Sequence, residues 1–491
     1  MSSPTFQHLR NILIHQGREK DLPLVTAAYQ FARVAHGEQK RVSGEIYLVH
    51  PLSTAITLAK MKLDTATIMA GLLHDVIDDT PTTIKEIEQK FGDEIALLVN
   101  GVTKLGKVKY RGMERYVENL RKMFVAMAQD IRVILIKFAD RLHNLKTIQF
   151  LPPEKQQRIA RETLEIYAPI ANRLEMGDLR DKLEDRAFNV LYPQEYEWIH
   201  NLVTTRYKEK TQYLDRIQRK VIKELKQNYH IPILNVHGRM KHLYSLYKKL
   251  LERERDITKI YDLVALRIVV NTVPECYTVL GIIHTLWKPL KGRIKDYIAQ
   301  PKPNGYQSLH TTVFCDEGEV VEFQIRTQKM HEEAEYGITA HWHYDEHGAV
   351  SFDKKLQWVN ELGKWHKNIR DSKQLVEAIK IDVFQNRIFV FTPKGDVIDL
   401  PEDATPVDLA YQIHTDLGHQ CVSAKVNDRI VGLDTPLHNG DVVEIVSSKQ
   451  KRWPDPDWLR FIKTTTARNK IKAHVRKKLV QRIKSILTVR E

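Results

Sequence analysis

A histidine at position 50, an adjacent His74-Asp75 pair and an aspartate at 140 are the residues of this sequence best suited to act together. They stand in Tyr47-Leu48-Val49-His50-Pro51, Gly71-Leu72-Leu73-His74-Asp75-Val76 and Lys137-Phe138-Ala139-Asp140-Arg141-Leu142-His143-Asn144, three separate stretches rich in apolar residues. Imidazole nitrogen combined with carboxylate oxygen suits a divalent transition metal such as manganese, which lowers the pKa of a bound water until it can attack phosphorus. That is phosphohydrolase chemistry. Any one of these histidines alone reads more simply as a cap or a packed side chain, but a set of such residues beside apolar helices weakens that reading. Asp78 and Asp79 follow one helical turn after the pair, able to reach the same side and to position or deprotonate the water. The plainer alternative makes Asp79-Thr80 a turn that caps the next helix.

A second set lies further on. Between Gly238 and Lys249 the cations Arg239, Lys241, His242, Lys248 and Lys249 alternate with Tyr244, Leu246 and Tyr247, so that a helix would bury the apolar members and leave the charges at one rim. Alone this is as readily a solvated helix face as a polyphosphate site. Asp262 opens the run Leu263-Val264-Ala265-Leu266-Arg267 and Glu322 lies in Val320 to Ile325; two carboxylates on neighbouring strands are what a magnesium–triphosphate complex requires. The loop from Arg293, Lys295 and Asp296 to Lys302, Asn304, Tyr306 and His310 adds cations, turn residues and an aromatic ring that can stack on a base. Glycine-rich phosphate cradles are absent, so side chains must hold phosphate.

Elements must position these groups. From Leu22 to about Arg219 apolar residues recur at three- and four-residue spacing, which predicts a helical half broken at Arg41 to Gly44, Thr80 to Thr82 and Leu151 to Pro153. Short β-branched runs between Ile231 and Tyr344 predict an α/β half. From Asp382, two short strands around the turn Pro393-Lys394-Gly395-Asp396, a helix from about Pro406 and strands to Val446 predict a small mixed module of ubiquitin-like pattern. A chain of 491 residues has room for roughly three such cores. With 42% hydrophobic and 28% charged residues it is globular in composition, and Lys plus Arg at 76 against Asp plus Glu at 62 gives a surface that attracts anions. Much of that excess lies in the tail from Lys451, so it says little about a pocket. Cys276, Cys315 and Cys421 are odd in number and far apart, which fits a reducing cytoplasm, and no apolar run approaches the length of about 18 residues that spans a bilayer.

The order and wording of these motifs resemble the long RelA/SpoT homologue enzymes, the stringent-response synthetase/hydrolases, over nearly the whole chain. The resemblance implies a multidomain α plus α/β fold: an all-helical HD-type hydrolase domain (1–200), a mixed-sheet nucleotidyltransferase-like synthetase domain (201–350), a helical connector (351–382), a β-grasp TGS domain (383–448) and a basic helical tail (449–491). In the helical half His50, His74, Asp75 and Asp140 coincide with the family's manganese ligands, and Arg41, Ser43 and Asn144 with its nucleotide contacts. The family usually has Glu-Asp where this chain has Asp78-Asp79, and Lys where this chain has Val42.

In the second half Arg239, Lys241, Ser245, Lys248, Asp262, Tyr306, His310, Glu322 and Gln324 match the synthetase motifs, with Tyr306 expected on the guanine of the acceptor. Arg293-Ile294-Lys295-Asp296 matches the basic form of a variable motif associated with bifunctional members. The implied reaction moves the β,γ-pyrophosphate of ATP to the 3′-oxygen of GDP or GTP and releases AMP, with Glu322 activating the hydroxyl and Asp262 and Glu322 holding magnesium. The implied opposing reaction is hydrolysis: at the manganese site water cleaves the 3′-pyrophosphate of ppGpp or pppGpp, returning GDP or GTP and pyrophosphate. His414, in Tyr411-Gln412-Ile413-His414, falls where the family meets the 3′ end of deacylated tRNA. A synthetase with a merely regulatory helical domain, and a tRNA- or ribosome-binding stress sensor, are the rival readings.

Overall fold

A computed structural model describes residues 4–106, 112–240, 242–256, 264–302, 305–341, 387–438, 440–448, 450 and 453–475. The expected connector (351–382), residues 476–491 of the basic tail, and Lys241, Asp262 and Asn304 lie outside the described residues, as do details of the Arg239 side chain. Among the described residues no helix is long and apolar enough to cross a membrane. The chain divides into two compact units, the first holding the helical half and the larger sheet, the second the small module.

The helical half runs through α1 (Phe6–His15), α2 (Leu22–His36), α3 (Val49–Lys60), α4 (Thr65–Leu73), the single turn α5 (Val76–Asp79), α6 (Ile84–Phe91), α7 (Asp93–Gly106), α8 (Gly112–Gln129), α9 (Arg132–Lys146), α10 (Pro153–Glu162), α11 (Ala168–Arg173) and α12 (Gly177–Leu191). Local chemistry sets the boundaries near the site. Asp64 caps α4 by accepting from Thr67 N–H at 2.7 Å. Thr83, not Asp79 or Thr80, caps α6, in a reciprocal box with Glu86. Helices α3, α4 and α9 supply the core around the site, with Leu52, Leu58, Leu72, Ile134 and Phe138 buried. Gly71 allows α4 to press on α3: a Cβ there would lie 2.5 Å from Leu58 Cδ1.

The long helix α13 (Pro193–Lys223) carries Ile199, Val203, Leu214 and Val221 into the core of the sheet half. That sheet has the order β1-β2-β5-β4-β3, from β1 (Ile233–Met240), β2 (Val264–Val270), β3 (Lys295–Asp296), β4 (Leu309–Phe314) and β5 (Val320–Thr327). Only β2 and β5 run parallel. Leu266, Ile268, Phe323 and Ile325 point into one core with α13, α14 (Leu243–Glu252) and α15 (Val273–Leu286). The stretch expected as one basic helix is therefore a strand through Met240 followed by α14 from Leu243, because β1 completes the sheet edge next to β2. Helices α16 (Gln328–Tyr336) and α17 (Ile338–His341) follow β5 and return to the helical half, where Ile338 N–H donates to Leu174 O at 3.0 Å.

The second unit pairs β6 (Arg387–Phe391) with β7 (Val397–Pro401), and β8 (Cys421–Val426) with β9 (Arg429–Val431) and β10 (Val443–Ser447). Helices α18 (Pro406–Ile413) and α19 (Thr415–Gln420) cross between the two sheets in sequence. Residues 465–475 are helical and seat Ala467 and Ile471 against Val407 and Tyr411.

Candidate active sites

His50 enters from the start of α3, His74 and Asp75 from the end of α4, and Asp140 from the middle of α9. Ligand atoms of His50, His74 and Asp140, all buried, lie within 4.8 Å of one another. His50 Nε2 is 3.1 Å from Asp140 Oδ1 and 3.3 Å from Asp75 Oδ2; His74 Nε2 is 3.2 Å from Asp75 Oδ1.

Outer contacts orient both rings. His74 Nδ1 meets Gly71 O at 2.8 Å and must carry the proton, which leaves Nε2 a lone pair; that nitrogen is buried and makes no hydrogen bond. Arg41 Nη1 donates to His143 Nδ1 at 3.3 Å, so His143 is unprotonated there and accepts from His50 Nδ1 at 2.8 Å. Burial lowers the His50 pKa, but hydrogen bonds from its ring to Asp140 and Asp75 hold it above the ordinary value, so Nε2 must give up its proton before it can ligate a cation. Burial, His50 and Arg41 pull the His143 pKa down to about 3, which keeps this acceptor neutral. Against a desolvation that raises it, the Asp140 carboxyl is held far below the ordinary range by Lys137, 2.6 Å away, and by His50 and His74. Two imidazole rings, one with a free Nε2, beside ionised carboxylates are a donor set that fits a divalent cation in place of the His50 proton.

Around this cluster, Arg41 reaches in through Nη2 to Asn144 Oδ1 at 2.7 Å, and Asn144 Nδ2 donates to Asp140 Oδ1 at 2.5 Å. The turn that presents Arg41 is closed by Arg41 N–H to Glu45 O and by Gly44, with φ of +81°. Ser43 Oγ is buried without a hydrogen-bond partner, whereas Val42 on the same turn points to solvent, 77% exposed. Asp78 and Asp79 are both exposed, and Asp79 accepts from the Tyr47 hydroxyl at 2.5 Å. Burial and the charges of Asp75 and Asp79 push that hydroxyl far above the ordinary phenol range, so it remains a donor.

In the sheet half the strand registers align one polar row across all five strands: Lys295 opposite His310, His310 opposite Gln324, Gln324 beside Arg267, Arg267 opposite His237. The adjacent row holds Thr312, Glu322, Ala265 and, by backbone register, Arg239. With Phe323 and Ile325 on the apolar face, Glu322 and Gln324 must share the other. His310 links two of the expected residues, its Nδ1 2.8 Å from Glu322 Oε1 and its Nε2 2.9 Å from the Tyr306 hydroxyl. Asp296 is spent on structure, accepting from Ile298 and Ala299 N–H groups. Arg293 and Lys295 are exposed, and Lys302 and Ser245 half-buried.

Lys248, on α14, meets Glu184 of α12 at 3.3 Å, and His242 meets Asp181 and Asp185 at 2.9 and 3.3 Å. In the second unit His414 ends α18 with its side chain 69% exposed and its Nδ1 accepting from Asp416 N–H.

Tyr47, Lys137 and His143 stand inside the sequence motifs yet carry no expected role there. His143 could have been found, since it lies one turn after Asp140 on the same helix face. Tyr47 precedes α3, where no periodicity marks it. Arg267, Arg326 and Glu335 were also missed: Glu335 of α16 lies 2.7 Å from Arg267 and 3.2 Å from Arg326. For Arg267 the available signal was an arginine in the otherwise apolar strand Val264–Val270.

A cluster of side chains able to hold a metal, set among helices, and a mixed sheet with a polar, carboxylate-bearing face thus lie in one compact unit. Residues 28–177 match the HD domain, residues 238–349 the region found in RelA / SpoT proteins, and residues 388–447 the TGS domain. The chain is 45% identical over 471 residues to the bifunctional (p)ppGpp synthase/hydrolase SpoT of Escherichia coli, covering 95% of this chain and 67% of that protein. The chain belongs to the RelA/SpoT family. It is 49% identical over 454 residues to a guanosine-3′,5′-bis(diphosphate) 3′-pyrophosphohydrolase of Aquifex aeolicus, covering 92% of this chain and 64% of that protein. A GTP pyrophosphokinase of Myxococcus xanthus is 47% identical, with 96% of this chain and 63% of that protein covered. The chain thus spans less than two thirds of the length of the latter two.

Proposed function

We propose that this chain is a bifunctional enzyme of guanosine tetraphosphate metabolism, working in the cytoplasm in the stringent response. The observation that carries the hydrolase half is the convergence of His50, His74 and Asp140 within 4.8 Å. His50, His74, Asp75 and Asp140 would hold manganese, which when bound supplies Lewis-acid activation for attack on phosphorus. Arg41, Ser43 and Asn144 bind the nucleotide, the unsatisfied Ser43 hydroxyl being one group a ligand would complete. Asp79, assisted by Asp78, orients the attacking water and takes its proton. The two departures from the family pattern, Val42 and Asp78, are both exposed, while Asp79, which keeps that pattern, is tethered by Tyr47.

In the sheet half Glu322 takes the proton of the 3′-hydroxyl of GDP or GTP, held in place through His310 by Tyr306. Tyr306 stacks on guanine, and Gln324 and His310 line the same face. Asp262 with Glu322 would hold magnesium, while Arg239, Lys241, Ser245 and Lys248 bind ATP phosphates and Arg293, Lys295, Lys302 and Asn304 the acceptor. Engaging Lys248 on a triphosphate draws it from Glu184, on the helix that packs against α9 and hence behind Asp140. The two activities then oppose each other through a shared conformational equilibrium. The exposed His414 favours a further contact with the 3′ end of deacylated tRNA.

The deciding experiment incubates the chain with guanosine tetraphosphate and manganese, with and without chelator, and follows pyrophosphate; ATP with GDP is assayed in parallel. Chelator-sensitive release together with AMP formation is expected. Synthesis without release would leave a one-way synthetase, and salt-sensitive RNA binding with neither activity would leave a sensor.

A further inference from the structure

We propose that Tyr47 is a positioning residue of the helical site, its hydroxyl tying the metal-ligand carboxylate of Asp75 to the carboxylate of Asp79. The inference rests on the hydrolase reading above. The hydroxyl lies 2.5 Å from Asp79 Oδ2 and 3.1 Å from Asp75 Oδ2, so one proton serves two carboxylates. Asp75 turns its other oxygen toward His74 Nε2, which places Tyr47 on the outer side of the cluster. A cation held by Asp75 weakens that oxygen as an acceptor and leaves the hydroxyl proton to Asp79.

The ring is itself held. It stacks on His36 with centroids 4.8 Å apart and 18° between planes, and His36 Nδ1 meets Gln39 Oε1 at 3.0 Å. Gln39 closes the loop: its Nε2 donates to Asp79 O at 2.8 Å and its own carbonyl accepts from Tyr47 N–H at 2.8 Å. The side chains of Tyr47 and Asp79 meet while their backbones are pinned to one residue. Asp79 stands on an exposed single turn, where an untied carboxylate would spread over several rotamers. Tyr47 acts through Asp75 and Asp79 and does not itself touch the reacting atoms.

The test uses Tyr47→Phe in the full chain, which keeps the ring and its stack on His36. Manganese affinity is read from the electron paramagnetic resonance of free Mn2+, and pyrophosphate release is measured at saturating metal in wild-type and Asp79→Asn backgrounds. Expected are about tenfold weaker Mn2+ binding, about tenfold lower kcat, an unchanged unfolding midpoint, and no further fall in kcat when Asp79 is already Asn. Wild-type affinity and kcat in Tyr47→Phe, or the same fold loss in both backgrounds, would overturn the proposal. Weakened Mn2+ binding in a protein that releases no pyrophosphate even as wild type would uphold the tie to Asp75 and sink the hydrolase reading instead.

Discussion

Replacing Gly337 by alanine tests whether the turn between α16 and α17 is the rigid joint between the sheet half and the helical half. Gly337 has φ of +58° and ψ of −130°, a conformation that residues with a Cβ avoid. A Cβ there would lie 2.3 Å from Leu174 O, 2.5 Å from Glu175 C and 2.6 Å from Met176 N, all backbone atoms that no rotamer change can move aside. Relief requires α17 to lift from the Leu174 turn, which breaks the Ile338 N–H to Leu174 O bond. The positive-φ backbone, outside the αL well, costs about 2 kcal/mol, the lost hydrogen bond about 1, and the overpacking about 2, on the order of 5 kcal/mol together. Gly292 is the control: its φ is +73°, but nothing lies within 4 Å of its Cβ position, so Gly292→Ala should lose only about 1 kcal/mol. Urea unfolding followed by circular dichroism should show a markedly lower midpoint for Gly337→Ala than for Gly292→Ala. Equal losses would show that the backbone conformation matters and the contact with residues 174–176 does not, refuting the joint.

Three further outcomes are expected. His74→Ala should abolish chelator-sensitive pyrophosphate release while AMP formation from ATP and GDP persists, because the cluster loses a nitrogen donor far in sequence from the sheet. His242 is partly buried, which lowers its pKa, yet hydrogen bonds to Asp181 and Asp185 push it up to about 9. Its contribution is therefore complete below the unfolded value near 6.5 and lost as pH rises through 9, and wild type should be more stable than His242→Asn by about 2 kcal/mol at pH 6 and by almost nothing at pH 10, measured by urea unfolding at each pH. Asp408→Ala should release the helical residues 465–475 from the second unit, since the fully buried carboxylate accepts from Thr405, Lys463 and Thr464 N–H groups and the Thr464 hydroxyl. A loss of about 3 kcal/mol or more, seen as lost amide-exchange protection in 465–475, is the expected result.

The parts legible in the sequence are those where chemistry and period coincide. His50, His74, Asp75 and Asp140 are polar groups in otherwise apolar helical stretches, and polar residues rarely enter such places without a partner. Glu322 and Gln324 alternate with Val321, Phe323 and Ile325, so strand period alone puts them on the face opposite the core. The run around Arg239 misled because its apolar residues fit a helix as well as a strand end, and only pairing with β2, remote in sequence, decides between them. Residues acting through others, such as Tyr47, Gln39 and Glu335, have no local pattern: their roles come from contacts across 28, 40 and 68 positions.

The same long-range character makes α12 a neighbour of both candidate sites. Its acidic side chains Asp181, Glu184 and Asp185 face α14 and meet His242, Lys248 and the Tyr244 N–H. Its other contacts are with α9, which bears Asp140, and with α16, which bears Glu335 against Arg267. Any change in how Lys248 or Arg267 is neutralised therefore alters the partners of one helix, and that helix cannot shift without disturbing its packing on α9, which bears Asp140. Charge reversal at Glu184 should consequently change both reactions, whereas a site built independently on each half would feel it in synthesis alone.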